Sequence, residues 1–588
     1  MPEKSDHATS FNKNLKARTN RQHALSFAAC AHCGMCNDSC HYYLATGDPE
    51  MTPAAKMDKI RQVYKAQNDW LGKLVPKWVG AKEIETDKEL EDLKDTVFGS
   101  CTGCRRCTYN CPFGVDTAIL LGLARSCLVD EGIAPEGILS VMKNQWETGN
   151  QMAVSPEDYI ETLKWIEEEL QEDLQDSDFK VPIDKKGADF VYVINPREIQ
   201  YDPRPLQAAF KIFYAAGLDW TMGSVGWDNT NFGLFSGKPD LGGHMGKLAY
   251  DHAKKLQVNR MVISECGHGL RSTKWEAPNW AKANPLTFEI ISMLELMVDL
   301  INRGKIILDP SRNPHPVTYH DPCNLSRSAG ITEEPRFCLK RACLDFREMT
   351  PNRADSYCCT GGGGAMSMSE YSQRRLEVAK TKAEQIKATG AAIVATACHN
   401  CIDGLSDLIQ KYDLKYDYGD GNLKPVTVPN VCELVAEAIV IPRELRRVAR
   451  EPREEITGKK ILIIDDEPDF VIFLQALLED NGFEVVTASD GAMGLEKAKA
   501  EKPDLITLDV SMPGKSGVQV YRDMRSNPDT EDIPVFIITG VVDFRQLMYQ
   551  KSVQAPEGFL RKPIDNDVFL MTVNKILEKS ARRKMVKG

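Results

Sequence analysis

The stretch Cys358-Cys359-Thr360-Gly361-Gly362-Gly363-Gly364 decides how this chain is read. Working outward, 34 residues separate Cys323 from the pair and 38 separate the pair from Cys398-His399-Asn400-Cys401, giving the spacing C-x34-CC-x38-C-x-x-C. Zinc sites and ferredoxins do not use adjacent cysteines at such range. Thiolates suit soft iron–sulfur centres. Side chains of adjacent cysteines diverge, so Cys358 and Cys359 do not cap one compact cube comfortably; they can bridge or ligate different irons of an opened cluster. Gly361 to Gly364 then let the backbone turn tightly beside the metal.

Two more cysteine runs stand upstream. They are Cys30-x-x-Cys33-x-x-Cys36-x-x-x-Cys40 and Cys101-x-x-Cys104-x-x-Cys107-x-x-x-Cys111, the second followed by Pro112. Both resemble the C-x2-C-x2-C-x3-C run of two-cluster bacterial-type ferredoxins, in which the fourth cysteine of each run reaches the other cluster. That resemblance implies one cubane [4Fe-4S] cluster on Cys30, Cys33, Cys36 and Cys111. It implies a second on Cys101, Cys104, Cys107 and Cys40. A zinc ribbon needs only C-x-x-C pairs and leaves the third and fourth cysteines of each run unexplained. The 60 residues between the runs exceed a minimal ferredoxin insert and resemble the helical module of fumarate reductase iron–sulfur subunits.

Composition narrows the class. A chain of 588 residues suggests three or four domains. The formal charge of −11 argues against nucleic acid as a partner. No window reaches the ~18 consecutive apolar residues of a membrane span, and the polar start MPEKSDHATSFNKNLKARTNRQ lacks the apolar core of a secretory signal. The expectation is a cytoplasmic chain. Of 18 cysteines, 13 fall in the three metal-ligand patterns, so metal explains them better than a disulfide framework does. A reducing compartment would keep those thiols free.

Seven segments are expected. Residues 1–22 read as a polar arm and 23–150 as a helical two-cluster module. Residues 151–186 read as an acidic helical connector opening at Ser155-Pro156, a cap followed by proline at the first helical position. It carries Glu157, Asp158, Glu161, Glu167, Glu168, Glu169, Glu172 and Asp173, and reads as a solvated spacer or as a dock for a basic partner. Residues 187–310 and 311–440 look like two copies of one α/β unit. FVYVINP (190–196) answers PVTYHDP (316–322), GWDNTNFGLFSG (226–237) answers CCTGGGG (358–364), and VISECGHG (262–269) answers VATACHNC (394–401). Cys266 thereby falls on Cys398, while the first copy lacks the other four thiols. Cys266 and His268 either line a pocket facing the metal site, with His268 delivering a proton, or are a relic thiol and a structural histidine. A charged linker at 441–455 leads to a last domain at 456–582.

In that domain KILIID ends at Asp465, followed by Asp466 and Glu467. DLITLD ends at Asp509 before Met512-Pro513-Gly514, VFIITG contains Thr539, and GFLRKP supplies Lys562. Alternating strands and amphipathic helices predict a five-stranded, doubly wound parallel sheet, with function at the carboxyl ends of the strands. Residues 459–565 closely resemble a response-regulator receiver domain of flavodoxin-like fold. The resemblance implies Mg2+ on Asp465, Asp466 and Asp509, phosphorylation of Asp509 by a histidine kinase, phosphate contacts from Thr539 and Lys562, and an aromatic switch at Phe559.

Across residues 23–440 the chain resembles the single-chain catalytic subunits of heterodisulfide reductases and those of sulfite-reduction-associated membrane complexes. These fuse a ferredoxin-like module to duplicated CCG cysteine-rich domains. By resemblance, Cys323, Cys358, Cys359, Cys398 and Cys401 hold a non-cubane [4Fe-4S] cluster acting on a disulfide or thiol. Thr360 departs from the family's CCG, and the ligand-poor first copy implies one such cluster instead of two. The expected function is an oxidoreductase subunit. It would pass electrons between a membrane cytochrome b-type or quinone-linked subunit and a small thiol or sulfur-carrier protein or low-molecular-weight disulfide. The alternatives are an iron–sulfur conduit for a flavin-dependent glycolate, lactate or glycerol-3-phosphate dehydrogenase, and a redox-sensing two-component protein.

Overall fold

The computed structural model describes residues 4–419, 423–441, 458–512, 515–540 and 556–587. Residues 442–455 of the expected linker, and Pro513 and Gly514, lie outside the described residues. The chain forms two compact units. One comprises Met1–Ala153, Pro182–Pro196 and Arg204–Arg443, and the other Val154–Val181, Arg197–Pro203 and Glu444–Gly588. No helix among the described residues is long and apolar enough to cross a membrane.

The first unit begins with helices. Asp6–Arg18 is capped by Ser5, whose side chain accepts from the Ala8 N–H. Ala8, Phe11 and Leu15 recur at helical spacing and are fully buried. Of the expected arm, the described residues 4–22 are therefore not a free polar segment: an apolar stripe of three residues, hidden among polar neighbours, anchors them. Arg21–Ala29 leads into the first cysteine run, and Pro53–Asn68 and Thr117–Asp130 contribute residues beside both runs. Ile60, Val63, Leu90, Leu93, Leu120, Ala124 and Leu128 fill this small core.

The duplication follows. Strands β1 (Phe190–Val193), β2 (Trp220–Met222), β3 (Arg260–Ile263) and β4 (Glu289–Ser292) form a parallel sheet in the order β2-β1-β3-β4. Strands β5 (Val317–His320), β6 (Phe346–Arg347) and β7 (Ile393–Thr396) repeat it as β6-β5-β7, with a parallel bridge from Ile393 to Thr427 where the first copy has β4. Each copy closes with a boxed helix: Ser292 and Glu295 cap Met293–Asn302, and Asn430 and Glu433 cap Val431–Ala438. A short antiparallel pair, β8 (Lys415–Asp417) and β9 (Leu423–Pro425), decorates the second copy. Its apolar core joins Ile386, Val394, Leu405 and Leu408 directly to Cys359, Cys398 and Cys401.

The second unit is built on β10 (Lys460–Ile464), β11 (Glu484–Ala488), β12 (Leu505–Leu508), β13 (Val535–Thr539) and β14 (Gly558–Arg561), all parallel in the order β11-β10-β12-β13-β14. This is the flavodoxin-like doubly wound order. The final helix Asn566–Lys587 buries Phe569, Val573 and Ile576 in the same core as Ile461, Leu505 and Phe536. The acidic helix Pro156–Asp173 belongs to this unit and is not a solvated spacer. Tyr159, Leu163, Trp165, Ile166 and Leu170 form a buried stripe at helical spacing beneath the acidic residues.

Candidate metal centres

The two cysteine runs interlock. One small cavity is lined by Cys30, Cys33, Cys36 and Cys111, with Cys107 at its edge. The other is lined by Cys40, Cys101, Cys104 and Cys107. Each four-thiol cavity thus takes three thiols from one run and the last thiol of the other. Lys56, buried in Pro53–Asn68, points Nζ to the Cys40 Sγ at 3.5 Å and donates to the Ser100 carbonyl at 2.6 Å. The Gly103 N–H donates to the Cys101 Sγ at 3.4 Å. A cation and a backbone donor therefore face sulfurs where thiolate charge would gather.

The five-cysteine set assembles at the carboxyl ends of β5 and β7. Cys323 opens the helix Cys323–Ala329 just past β5, and Cys398 caps the helix His399–Lys411 just past β7. Asp321 fixes the first turn: Arg336 donates to both its oxygens at 2.8 and 2.9 Å, and the Arg353 N–H adds a third bond at 2.7 Å. Cys359 and Cys401 stand 3.2 Å apart, Sγ to Sγ. The Thr360 N–H donates to the Cys358 Sγ at 3.2 Å, and the Gly361 N–H to the Cys359 Sγ at 3.4 Å.

The turn is tight for a visible reason. Thr360, Gly363 and Gly364 all have positive φ, +67°, +67° and +84°. A Cβ on Gly363 would meet the Thr102 carbonyl oxygen at 2.5 Å. A β-branched residue with positive φ is an outlier. The family's glycine at position 360 would sit there freely, and here a fully buried threonine occupies it.

This turn also joins two of the sites. Thr102 Oγ1 lies 3.4 Å from the Cys358 Sγ, and His41, Cys104 and Cys358 bring ligand atoms within 4.8 Å of one another. Arg327, on the helix that starts at Cys323, donates to the Cys104 carbonyl at 2.7 Å. A second such group is His320, Cys359 and Cys401. His41 Nε2 and His320 Nδ1 are buried and find no hydrogen-bond partner among the described residues. Sequence reasoning missed both histidines. The signal was adjacency: His41 follows Cys40, and His320 stands three before Cys323.

Electrostatics separates these thiols. Hydrogen bonds from Cys358 hold Cys104 and Cys359 well below the ordinary thiol range, and one from Cys401 does the same for Cys398. Cys358 and Cys401, as the partners in those bonds, are pushed well above it. Burial pushes Cys323 up to about 12. Like charges so crowded need a polycation among them, and metal binding takes thiols as thiolates. The donor set, the orphaned imidazole nitrogens and the four-thiol cavities fit iron–sulfur clusters.

The first copy takes a different course. Cys266 caps the helix Gly267–Arg271 past β3, the counterpart of Cys398 past β7. His268 is buried, with Nδ1 3.4 Å from the Cys266 Sγ, and it helps to hold the Cys398 thiol low. Where the second copy gathers thiols, the first has a polar network. The Gln151 amide N–H donates to Asp228 at 2.8 Å, its side chain to Asn195 at 3.2 Å, and Asn229 donates to Ser264 at 3.0 Å. These groups bond one another, although Asn229 Oδ1 finds no partner among the described residues.

In the second unit, Asp465, Asp466 and Asp509 bring carboxylate oxygens within 4.8 Å of one another at the ends of β10 and β12. Lys562 Nζ lies 2.8 Å from Asp465, 2.7 Å from Glu467 and 2.7 Å from Asp509. Burial opposes the charge on Lys562, but the three carboxylates outweigh it and raise its affinity for the proton. Thr539 is fully buried at the end of β13, and Phe559 on β14 is nearly so. An oxygen-rich trio of this kind suits Mg2+.

Comparison with known proteins matches residues 26–115 to a 4Fe-4S dicluster domain, 317–405 to the CCG cysteine-rich domain and 461–574 to the response regulator receiver domain. The Hdr-like menaquinol oxidoreductase iron-sulfur subunit 2 of Archaeoglobus fulgidus is 30% identical over 387 residues, covering 59% of this chain and 69% of that protein. The chain belongs to the Hdr-like iron–sulfur subunits. A dihydromethanophenazine:CoB–CoM heterodisulfide reductase subunit of Methanosarcina mazei is 29% identical, covering 71% of this chain and 94% of that one. Protein PilH of Pseudomonas aeruginosa is 36% identical over 118 residues, 20% of this chain and 97% of its own. The chain is thus an Hdr-like iron–sulfur electron-transfer subunit carrying a receiver domain, and its family membership gives it an oxidoreductase role.

Proposed function

We propose that this subunit exchanges electrons between a quinone- or cytochrome b-linked membrane partner and a disulfide or thiol-carrier substrate, under control of receiver phosphorylation. One observation carries the reading: five clustered thiols adjoin the Cys104 edge of the second four-thiol cavity, through Cys358 and Thr102. Cys30, Cys33, Cys36 and Cys111 would hold one cubane, Cys40, Cys101, Cys104 and Cys107 another, and Cys323, Cys358, Cys359, Cys398 and Cys401 a non-cubane cluster. When bound, such groups supply one-electron transfer and, at the five-thiolate site, a place for substrate sulfur. The chain's own residues shape the surroundings. Lys56 balances thiolate charge at Cys40, the turn at 360–364 excludes water, and His268 stands at the Cys266 sulfur, placed to pass a proton there. The first copy keeps only Cys266 of the five thiols, which favours one non-cubane centre. The names of the A. fulgidus and M. mazei relatives support a quinol- or phenazine-linked complex acting on sulfur. With Mg2+ on Asp465, Asp466 and Asp509, a histidine kinase would phosphorylate Asp509, and the chain would work in the cytoplasm at the membrane's inner face in anaerobic energy metabolism.

The test is low-temperature EPR of anaerobically prepared protein treated with thiol under oxidising conditions. A paramagnetic signal that disappears in Cys358→Ser while the cubane signals persist is expected. Spectra identical with and without thiol, together with co-purification of a flavin dehydrogenase, would replace this reading with a plain electron conduit.

A further inference from the structure

The second unit includes two segments far from the receiver in sequence, Val154–Val181 and Arg197–Pro203. The first rests on the final helix, and the second on both β14 and the final helix. Lys575 Nζ is buried, donates to the Ile199 carbonyl at 2.8 Å and stands 5.8 Å from the centre of the Trp165 ring. Lys579 Nζ lies 3.2 Å from Asp158 Oδ1 and 3.1 Å from Thr162 Oγ1. On β14, Phe559 meets Tyr201 edge to face, with ring centres 6.1 Å apart at 84°. Gln200 Nε2 donates to the Pro556 carbonyl at 3.4 Å. The acidic helix thus meets the receiver through the ion pair of Asp158 with Lys579 and through Trp165 beside Lys575. The chain that leaves the end of β14 also supplies Lys562, which grips Asp509 at 2.7 Å.

We infer that the receiver's output is internal: the face made by β14 and the final helix, where receivers of this family meet their partners, grips and releases the acidic helix Pro156–Asp173 together with Arg197–Pro203. The inference rests on Asp509 being the phosphoryl acceptor. With acetyl phosphate as donor, a P–O bond of the donor breaks, one forms to an Asp509 carboxylate oxygen, and acetate leaves. The new phosphoryl oxygens compete for Lys562, which now spans Asp465, Glu467 and Asp509. Drawing Lys562 toward phosphate pulls on the end of β14 and withdraws Phe559 from Tyr201. The acidic helix, left on its lysine contacts, loosens. The change has a covalent route onward: Arg197 directly follows Asn195-Pro196, and Asn195 Nδ2 lies 3.9 Å from the Cys266 Sγ.

The experiment treats the full-length protein, prepared anaerobically, with acetyl phosphate and Mg2+. Intact mass reports labelling, and hydrogen exchange by mass spectrometry reports residues 156–173 and 197–203. Labelling with several-fold faster exchange in both segments is expected, with neither effect in Asp509→Asn. Tyr201→Leu should speed exchange without phosphoryl donor and blunt the response to it. Lys579→Gln, which leaves Tyr201 intact, should loosen 156–173 on its own. Labelling of Asp509 with exchange unchanged in both segments overturns the internal output surface and leaves phosphorylation standing. No labelling at Asp509 overturns both. Protection in Lys579→Gln equal to that of the wild type also counts against the proposed partner.

Discussion

Arg125 ties three segments of the first unit together at the mouth of the metal centres. From the helix Thr117–Asp130 its guanidinium donates to the carbonyls of Val97 at 2.8 Å, Cys101 at 2.6 Å, Phe235 at 3.0 Å and Gly363 at 2.8 Å. These belong to the two-cluster module, the first α/β copy and the cysteine-rich copy. The residue is 5% exposed, and no carboxylate pairs with it among the described residues. Arg125→Met keeps most of the volume and strips four buried carbonyls of a donor, at about 1 kcal/mol or more each. Against this stands the desolvation of a buried cation, which burial already makes easier to deprotonate. The net loss should be roughly 2–4 kcal/mol. Arg125→Lys keeps the charge, but one ammonium cannot span four carbonyls on three segments, so it should recover only part of the loss. Anaerobic urea denaturation followed by tryptophan fluorescence reads this directly, because every tryptophan except Trp165 lies in the first unit. A first-unit shift below about 1 kcal/mol would refute the stapling role, as would an equal shift in receiver unfolding.

Three further outcomes follow from single residues. Glu265 is buried, its Oε2 accepts from the Cys432 N–H at 3.2 Å, its Oε1 has no partner among the described residues, and burial pushes it up to about 8 from 4.5. The folded chain then keeps a proton that the unfolded chain has released, so stability falls as pH rises from about 4.5 to about 8. Glu265→Gln should remove that fall in a urea-midpoint series, and an unchanged slope would sink the assignment. Thr360→Gly relieves a left-handed β-branched residue, worth about 1–2 kcal/mol, against about 0.5–1 kcal/mol of added chain entropy. Thermal unfolding should show slight stabilisation, and a marked loss would mean the threonine is held for another purpose. Lys562→Met removes the cation that spans Asp465, Glu467 and Asp509 and should raise Mg2+ affinity about tenfold by calorimetry while slowing acetyl-phosphate labelling. Unchanged affinity would show that the lysine does not compete with the cation.

Much of this arrangement was written in local pattern. The resemblance of the two cysteine runs to two-cluster ferredoxins implied crossed ligand sets, and the same thiols line the two cavities. The receiver was legible because its acidic and basic residues sit at strand ends whose hydrophobic runs are unmistakable. The duplication was legible through strand endings, and Cys266 and Cys398 do occupy matching caps. What escaped was long-range or masked by charge. Phe11 and Leu15 lie in a stretch whose composition reads as solvated. The stripe Tyr159, Leu163, Ile166 and Leu170 was available at helical spacing, but eight acidic residues drew the eye, and the lysine that Asp158 meets lies some 400 residues away. Arg125 had no motif, because backbone carbonyls leave no trace in a sequence. Thr360 looked like a mild departure until its φ showed what the family's glycine is for.

The crossed cavities bear on how the chain is made. A ribosome that has just released Cys40 has produced three sulfurs of one cavity and one of the other, and neither can close. Closure of both waits for the second run, and the first cavity waits for its last residue, Cys111. Iron delivered to the nascent N-terminus would find an open-sided nest that sheds or scrambles its cargo. Maturation is thereby tied to synthesis of a folded helical module, and a nick anywhere between the two runs would put both centres at risk together.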